Sequence, residues 1–244
     1  MSGGIWLAGV DGCRAGWIAA FLRPDNDDGF VQVFESFAAI CEAPEQPAII
    51  AVDIPIGLPE RTGNGGRAAE NAIRPLLGQR QSSVFSVPSR AALAAADYRE
   101  ACGIAFATSD PPRKISKQLF MIAPKIREVD ACLLANPLLQ DRVFETHPEL
   151  AFWRLNGERA LDLPKKIKGR VHEPGMILRR GLLRRAGLPD DLIDLDPPRG
   201  AATDDLLDAL ACAAIARRIH AGRATPFPHP PPRDAFGLRM AIWA

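Results

Sequence analysis

The stretch Ile5-Trp6-Leu7-Ala8-Gly9-Val10-Asp11-Gly12 decides the fold of this 244-residue chain. It carries no charge before Asp11, and its apolar run is typical of a strand buried on both faces. A turn is predicted over residues 12–16, followed by the second strand of a hairpin over 17–22. Asp11 would then end a central strand beside backbone amides freed by glycines, which suits a cation and a phosphate. The alternative is that Asp11 only caps its own turn.

The composition is that of an ordinary globular protein, with 47% hydrophobic and 24% charged residues and a formal net charge of +1. No apolar run reaches membrane-spanning length, and the N-terminus lacks a signal-peptide pattern. The five cysteines include no C-x-x-C pair, which indicates reduced thiols and disfavours zinc. We therefore expect a cytoplasmic protein without a membrane partner.

Further along the chain, the pattern alternates between strands and helices. Strands are predicted at 31–34 and 48–52, a strand that runs into a turn at 142–149, and a short helix at 37–40. The strand at 48–52 should run parallel to the first strand, and it ends on a second carboxylate, Asp53. Two acidic side chains are thus expected at the same edge of one sheet.

The segment from about 63 to 137 shows no convincing central strand and is long for a single connection. We predict a helical insertion whose inner side is polar and partly basic; the alternative is a set of helices that simply face solvent. A second basic region follows at 165–185, with eight Lys or Arg residues against one Glu. Such a run is usually a solvated helix face, but beside a carboxylate cluster it is a candidate contact for phosphates.

A second strong motif begins with the acidic helix start at residues 203–208. Thr203 is a suitable N-cap, and the following Ala- and Leu-rich segment is apolar on nearly all sides, as in a helix packed into a core. Asp204, Asp205 and Asp208 occupy its first turns, so at least two carboxylates share a face. The helix dipole explains one such residue, whereas several repel each other unless a cation neutralises them.

The combined carboxylates predict a metal site. Asp11, Asp53, Asp205 and Asp208 supply only oxygen ligands, which suit Mg²⁺ or Mn²⁺ better than zinc. Paired hard cations held by carboxylates support attack of water on a phosphodiester. These four residues are therefore predicted to be both the metal ligands and the catalytic residues.

Several motifs of the chain recur together in a known family: residues 9–17 (GVDGCRAGW), 53–58 (DIPIGL), 83–85 (SVF), 88–90 (PSR), 124–130 (PKIREVD), 145–149 (ETHPE) and 204–209 (DDLLDA). Together they are similar to domain of unknown function 429, a bacterial family usually described as predicted ribonuclease H-like nucleases. The chain order also resembles that α/β fold, and the first and last acidic motifs resemble those of the Holliday-junction resolvase branch. The resemblance covers nearly the whole chain.

The resemblance implies a single ribonuclease H-like domain over residues 1–244, with a mixed five-stranded sheet, flanking helices and the helical insertion. It places Asp11, Asp53, Asp205 and Asp208 at the metal-ligand positions of that superfamily. Asp204, Glu145 and His147 are accessory candidates. The basic residues predicted to bind substrate are Arg14, Arg67, Arg74, Arg90, Lys117, Lys125 and Arg127.

Three functions follow from these features. The first is a metal-dependent nuclease, with Mg²⁺ or Mn²⁺ as cofactor and nucleic acid as partner. The second is a phosphotransferase of the actin and sugar-kinase type, although the duplicated core and second phosphate loop that such kinases use are not evident here. The third is a non-catalytic binding protein that retains the acidic pocket.

Overall fold

The central sheet of the protein is mixed, and its strand order is β3-β2-β1-β4-β5 in a computed structural model that describes residues 4–26 and 28–244. β2 is antiparallel to β1 and β3, whereas β4 is parallel to β1 and β5. The strands are β1 Leu7–Cys13, β2 Gly16–Leu22, β3 Gly29–Phe34, β4 Ile49–Val52 and β5 Val143–Glu145. The predicted mixed five-stranded sheet is confirmed, and this arrangement is consistent with the ribonuclease H-like fold.

Helices flank the sheet on both faces. They are α1 Phe37–Cys41, α2 Ala68–Ile73, α3 Arg90–Ala94, α4 Tyr98–Ala107, α5 Lys117–Ala135, α6 Pro148–Leu155, α7 Glu173–Arg185, α8 Asp190–Ile193 and α9 Thr203–His220. Two 3-10 segments, Arg74–Ser83 and Pro137–Asp141, precede α3 and β5. Two short ladders lie apart from the sheet: β6 Lys166–Ile167 with β7 Arg170–Val171, and β8 Pro226–Phe227 with β9 Ile242–Trp243.

The first hairpin is tighter than the sequence indicates. β1 continues through Asp11, which is paired with Ile18, and ends at Cys13 opposite Gly16. Only two residues remain for the turn, because strand pairing in a short hairpin persists up to the ends of the loop. Asp11 therefore lies within β1 and not in a turn that follows it.

Helix α9 packs directly on β1 because Gly9 has no side chain. A Cβ atom on Gly9 would lie 1.9 Å from the backbone nitrogen of Ala213 and 2.2 Å from the carbonyl oxygen of Ala209. Gly9 and Asp11 are two residues apart on one strand, so they face the same side of the sheet. This close approach brings the first turns of α9 beside Asp11.

Residues 63–137, all of which the structure describes, form α2 to α5 and contribute no strand to the central sheet. The buried faces of α3, α4 and α5 pack on the side of the sheet opposite to α9, in a cluster with Trp17, Phe21 and Phe37. Helix α2 instead packs on the α9 side, through Ala69 and Ile73. Within the described ranges, no helix is both long enough and apolar enough to cross a membrane.

Candidate active site

Three carboxylates from separate elements approach one another at one edge of the sheet. Asp11 belongs to β1, Asp53 directly follows β4, and Asp208 lies in the second turn of α9. The negative charges of Asp53 and Asp208 both act on Asp11. Asp11 and Asp53 also line a cleft of about 360 Å³, a volume within the range of small-molecule sites. The charges of the other three predicted ligands thus act on Asp11, and that of Asp205 acts least.

Burial and mutual repulsion favour the protonated forms of these acids. The pKa of Asp11 is raised well above its usual value by burial, and then by the charges of Asp53 and Asp208. Burial also raises the pKa of Asp53 to about 7 and that of Asp208 to about 6. Carboxylates that share a desolvated place accept either protons or a cation. Perturbed pKa values of this kind are typical of functional sites.

The cation present in this cluster is Lys165, which lies just before β6. Its ammonium group donates a hydrogen bond to Asp208 and lies 3.9 Å from Asp204. Burial alone would lower the pKa of Lys165, but the carboxylates of Asp208 and Asp11 raise it. Lys165 therefore stays charged and neutralises part of the cluster.

The other two acids of the α9 start differ in their contacts. Asp205 accepts a hydrogen bond from the backbone nitrogen of Ala202, 2.9 Å away, and so caps its own helix. Asp204 is buried and lies 2.6 Å from the ammonium nitrogen of Lys166, while its second oxygen has no partner among the described residues. Asp205 is thus more peripheral than Asp208, although its charge still acts on Asp11.

The carboxylates, as placed, do not form a finished metal site. In the described part of the chain, no group of three or more His, Cys, Asp or Glu side chains could hold a metal ion. The donor chemistry nevertheless suits a hard divalent cation, because every candidate atom is a carboxylate oxygen. Buried oxygens without a hydrogen-bond partner remain nearby, on Asp204 and on Glu149.

Glu145, predicted as an accessory residue, is held in a buried ion pair. Its carboxylate contacts Arg67 at 2.5 and 3.0 Å and accepts a hydrogen bond from Ile56. Arg67 also binds Glu70 and the carbonyl oxygens of Ile56 and Gly57. Both ionic side chains border the cleft, but all their strong contacts are internal. They fix the loop after β4, and with it Asp53.

His147, the other accessory candidate, lines the cleft at the start of α6. Its Nε2 atom lies 3.4 Å from the carbonyl oxygen of Ser83, which favours a proton on Nε2. Its buried Nδ1 atom has no partner in the described ranges. Burial lowers the pKa of His147, which favours the neutral ring and disfavours proton uptake at Nδ1.

Only two of the seven basic residues predicted to bind substrate, Arg67 and Lys125, line the cleft. Lys125 packs along Gly12 and places its ammonium group 4.4 Å from the centre of the Trp17 ring. Arg14 and Lys117 are exposed and lie outside the lining of the cleft.

Three other arginines predicted to face the acidic pocket bind the protein itself. Arg74 donates to the carbonyl oxygens of Gly65 and Val84, and Arg127 donates to Leu93. Arg90 pairs with Asp130 and Asp234. The insertion needs these contacts because its short helices are joined by loops whose carbonyl groups are partly buried.

Two residues of the site were missed by the sequence analysis. Lys165 was noted only as the first residue of a basic run. Glu149 belongs to the quoted 145–149 motif, yet no role was predicted for it; its charge raises the pKa of Asp53 and of Asp208. One Glu149 oxygen accepts a hydrogen bond from the fully buried Arg179, which also donates to the carbonyl of Leu163. Arg179 thereby ties the segment that carries Lys165 to the site.

Comparison with known proteins gives a family and no activity. No curated protein and no solved structure matches the chain. The family described as "Protein of unknown function (DUF429)" matches over residues 9–233, a range that contains every residue of the acidic cluster. The chain therefore belongs to the DUF429 family of proteins of unknown function.

Proposed function

We propose that this protein is a metal-dependent hydrolase that cleaves phosphodiester bonds in nucleic acid. The observation that carries the proposal is that Asp11, Asp53 and Asp208 lie close enough at one edge of the sheet for their charges to interact, and that Asp11 and Asp53 line an open cleft. Each acid comes from a different element, so the cluster is not explained by capping of a single helix. A desolvated group of like charges is destabilising unless protons or a cation neutralise it.

Asp11, Asp53 and Asp208 would hold the cation, which we expect to be Mg²⁺ or Mn²⁺ because all donors are oxygens. Glu149 supplies a further buried oxygen at the margin of this set. Bound there, such an ion would polarise a phosphoryl oxygen and acidify a water molecule.

The protein's own groups supply the remaining parts of a hydrolytic site. Lys125 lines the cleft, and its ammonium group, which donates to the carbonyl oxygen of Gly16, has further hydrogens that a phosphate oxygen could accept. His147 lines the cleft as a neutral ring, because burial lowers its pKa, and so adds no positive charge beside the carboxylates. The Arg67–Glu145 pair keeps the loop that follows Asp53 in place.

A second candidate function is supported by Lys165. Its bond to Asp208 gives the cluster an internal cation, and a permanently neutralised pocket would fit a binding protein without turnover. The phosphotransferase alternative has no specific observation in its favour.

The test combines binding and turnover. Melting temperatures are measured with Mn²⁺, Mg²⁺ and ATP, and then fluorescent single-stranded and duplex oligonucleotides are incubated with each metal. A hydrolase gives a metal-dependent shift and cleavage that Asp11→Asn abolishes. An ATP-dependent shift would favour the phosphotransferase. Absence of metal binding and of cleavage in a folded protein would leave the binding protein as the remaining candidate.

A further inference from the structure

A second pocket adjoins the acidic cleft. It has a volume of about 300 Å³ and shares one wall, Val84 and Phe85, with the cleft. Its floor and rim come from the loop at 62–66 and from residues 109–116 before α5. A ligand bound in the cleft can therefore extend past Phe85 into this second pocket.

The second pocket has the opposite charge to the cleft. None of the residues that line it, all within the described ranges, is Asp or Glu. Arg113 and Lys114 border it, and within the described chain neither forms an ion pair with a carboxylate. The guanidinium of Arg113 donates to the side-chain oxygen of Asn64, at 2.9 Å, and to no other described residue. Two exposed positive charges thus border this pocket.

A third cation, Arg74, holds the backbone of the shared wall through hydrogen bonds. Arg74 donates to the carbonyl oxygens of Gly65 and Val84 and, at 3.0 Å, to the hydroxyl of Ser86. Burial and the nearby charge of Arg113 lower the pKa of Arg74, while the Glu70 carboxylate acts in the opposite direction. The Arg74 contacts fix the segment that carries Phe85.

Phe85 is the aromatic surface of this boundary. Its ring is only partly buried and borders both cavities. An aromatic face beside a cationic rim is the arrangement that binds single-stranded nucleic acid, in which bases stack on rings while Lys and Arg contact the backbone. A base within a duplex is already stacked and paired, so it is not free to lie on Phe85.

We propose that the second pocket binds the nucleotide next to the scissile phosphate of a single-stranded nucleic acid, with its base on Phe85 and its phosphate against Arg113 and Lys114. This inference rests on the proposed function, because it names the substrate class of the same site.

The experiment measures binding separately from cleavage. Fluorescence anisotropy follows a 5′-fluorescein-labelled 12-residue oligothymidylate, its RNA counterpart and a duplex of the same length, each in EDTA. Each phosphate contact to a single strand contributes ~0.7 to the slope of log K against log salt. The double variant Arg113→Ala/Lys114→Ala, which loses two such contacts, should therefore bind with a slope that is smaller by about 1.4. Arg99→Ala is the control, since Arg99 is exposed on α4 and does not line the pocket.

The aromatic contact is tested with Phe85→Leu and Phe85→Tyr. Loss of one stacked base weakens binding by about 5- to 150-fold. The affinity of Phe85→Leu for the single strand should therefore be lower by a factor in that range, while Phe85→Tyr should bind like the wild type. Phe106→Ala, which removes a ring that is 52% exposed, is the control. Melting temperatures establish that each variant is folded.

The outcomes separate the two proposals. If the variants at 85, 113 and 114 bind the single strand as the wild type does, the second-pocket proposal is overturned, even if the protein cleaves nucleic acid. Wild-type protein that prefers the duplex, or binds no oligonucleotide, overturns it as well. If single-strand binding depends on these residues but no metal supports cleavage, the second pocket stands and the hydrolase proposal fails.

Discussion

The ammonium group of Lys165 donates a hydrogen bond to the carboxylate of Asp208, so a lysine is the counter-ion of the acidic cluster. The Asp208 side chain is 4% exposed and that of Lys165 is 31% exposed. The acid therefore belongs to the protein interior, while the lysine approaches it from the surface. A metal ion and Lys165 would compete for the same carboxylate.

We expect Lys165→Gln to bind Mn²⁺ more tightly than the wild type while the metal-free variant is less stable. Removal of one partner leaves Asp208 buried and unpaired, a loss that we place at about 1–3 kcal/mol because Lys165 is partly exposed. Calorimetric Mn²⁺ titration and urea unfolding measure the two effects. Lys168→Gln, on the exposed turn of the same hairpin, is the control. Unchanged Mn²⁺ affinity in Lys165→Gln would show that Lys165 does not occupy a cation position.

Two substitutions at Asp11 can separate the effect of its negative charge on stability from the effect of its hydrogen bond. The Asp11 carboxylate accepts a hydrogen bond from the backbone nitrogen of Gly12 at 2.7 Å, and an Asn oxygen can accept the same bond. Asp11→Asn should therefore be at least as stable as the metal-free wild type, because it relieves repulsion from Asp53 and Asp208. Asp11→Ala should lose about 0.5–2 kcal/mol with the lost bond.

Both Asp11 variants should show weakened Mn²⁺ binding and no hydrolysis. Apo melting temperature and Mn²⁺ affinity are measured side by side for the two variants and the wild type. A destabilised Asp11→Asn with wild-type Mn²⁺ affinity would contradict the assignment and leave Asp11 as a structural residue.

The metal-free protein should become less stable as the pH rises from about 4 to about 7. Asp53 and Asp208 have pKa values of about 7 and about 6 in the folded state, against an ordinary value of 3.8. Between these values the folded state binds more protons than the unfolded chain, so the free energy of unfolding falls with rising pH and levels off above the folded pKa. Melting temperatures measured in EDTA between pH 4 and 7 test whether stability falls with rising pH.

The Asp53 contribution is isolated by comparison with Asp53→Asn. This variant has no carboxyl group to titrate, so its stability should fall less than that of the wild type between pH 4 and 7. Parallel curves for the two proteins would mean that Asp53 is not desolvated as described.

Arg67 provides a test of a structural residue within the cleft. Its guanidinium is buried with Glu70 and Glu145, so Arg67→Met leaves two carboxylates without their partner. We expect a loss of about 3–5 kcal/mol of stability in urea unfolding. The control is Arg113→Ala. Arg113 has no carboxylate partner in the described chain, so this substitution should change stability by less than ~0.5 kcal/mol. A stable Arg67→Met with defective oligonucleotide binding would restore the substrate-binding prediction for Arg67.

The sheet and the acids of the site were predictable because each depends on a short pattern. Uninterrupted apolar runs located β1 and β4, and the carboxylates at their ends located Asp11 and Asp53. The apolar α9 with its acidic start gave Asp208. Each of these signals lies within about ten residues of the chain.

The counter-ions and the wall of the second pocket were not predictable, because they depend on contacts between distant segments. Lys165 is 43 residues from Asp208 in sequence, and the Arg67–Glu145 pair spans 78 residues. A lysine or arginine within a loop looks the same whether it faces solvent or a buried acid. The sequence therefore predicted the wrong contacts for Arg74, Arg90 and Arg127, and it did not single out Arg113.

Because α9 packs closely on Gly9, the acids of the cluster and their counter-ion Lys165 should differ in how freely they move. Asp11 and Asp208 are attached to a strand and a helix whose backbones touch, so their separation should change only when the core itself unfolds. Lys165 precedes a ladder of two residue pairs whose side chains are exposed. In hydrogen exchange, the amides of 166–171 should exchange through local opening, and those of β1 and α9 only through global unfolding. We therefore expect a rigid pair of acids and a counter-ion that adjoins a segment able to open locally.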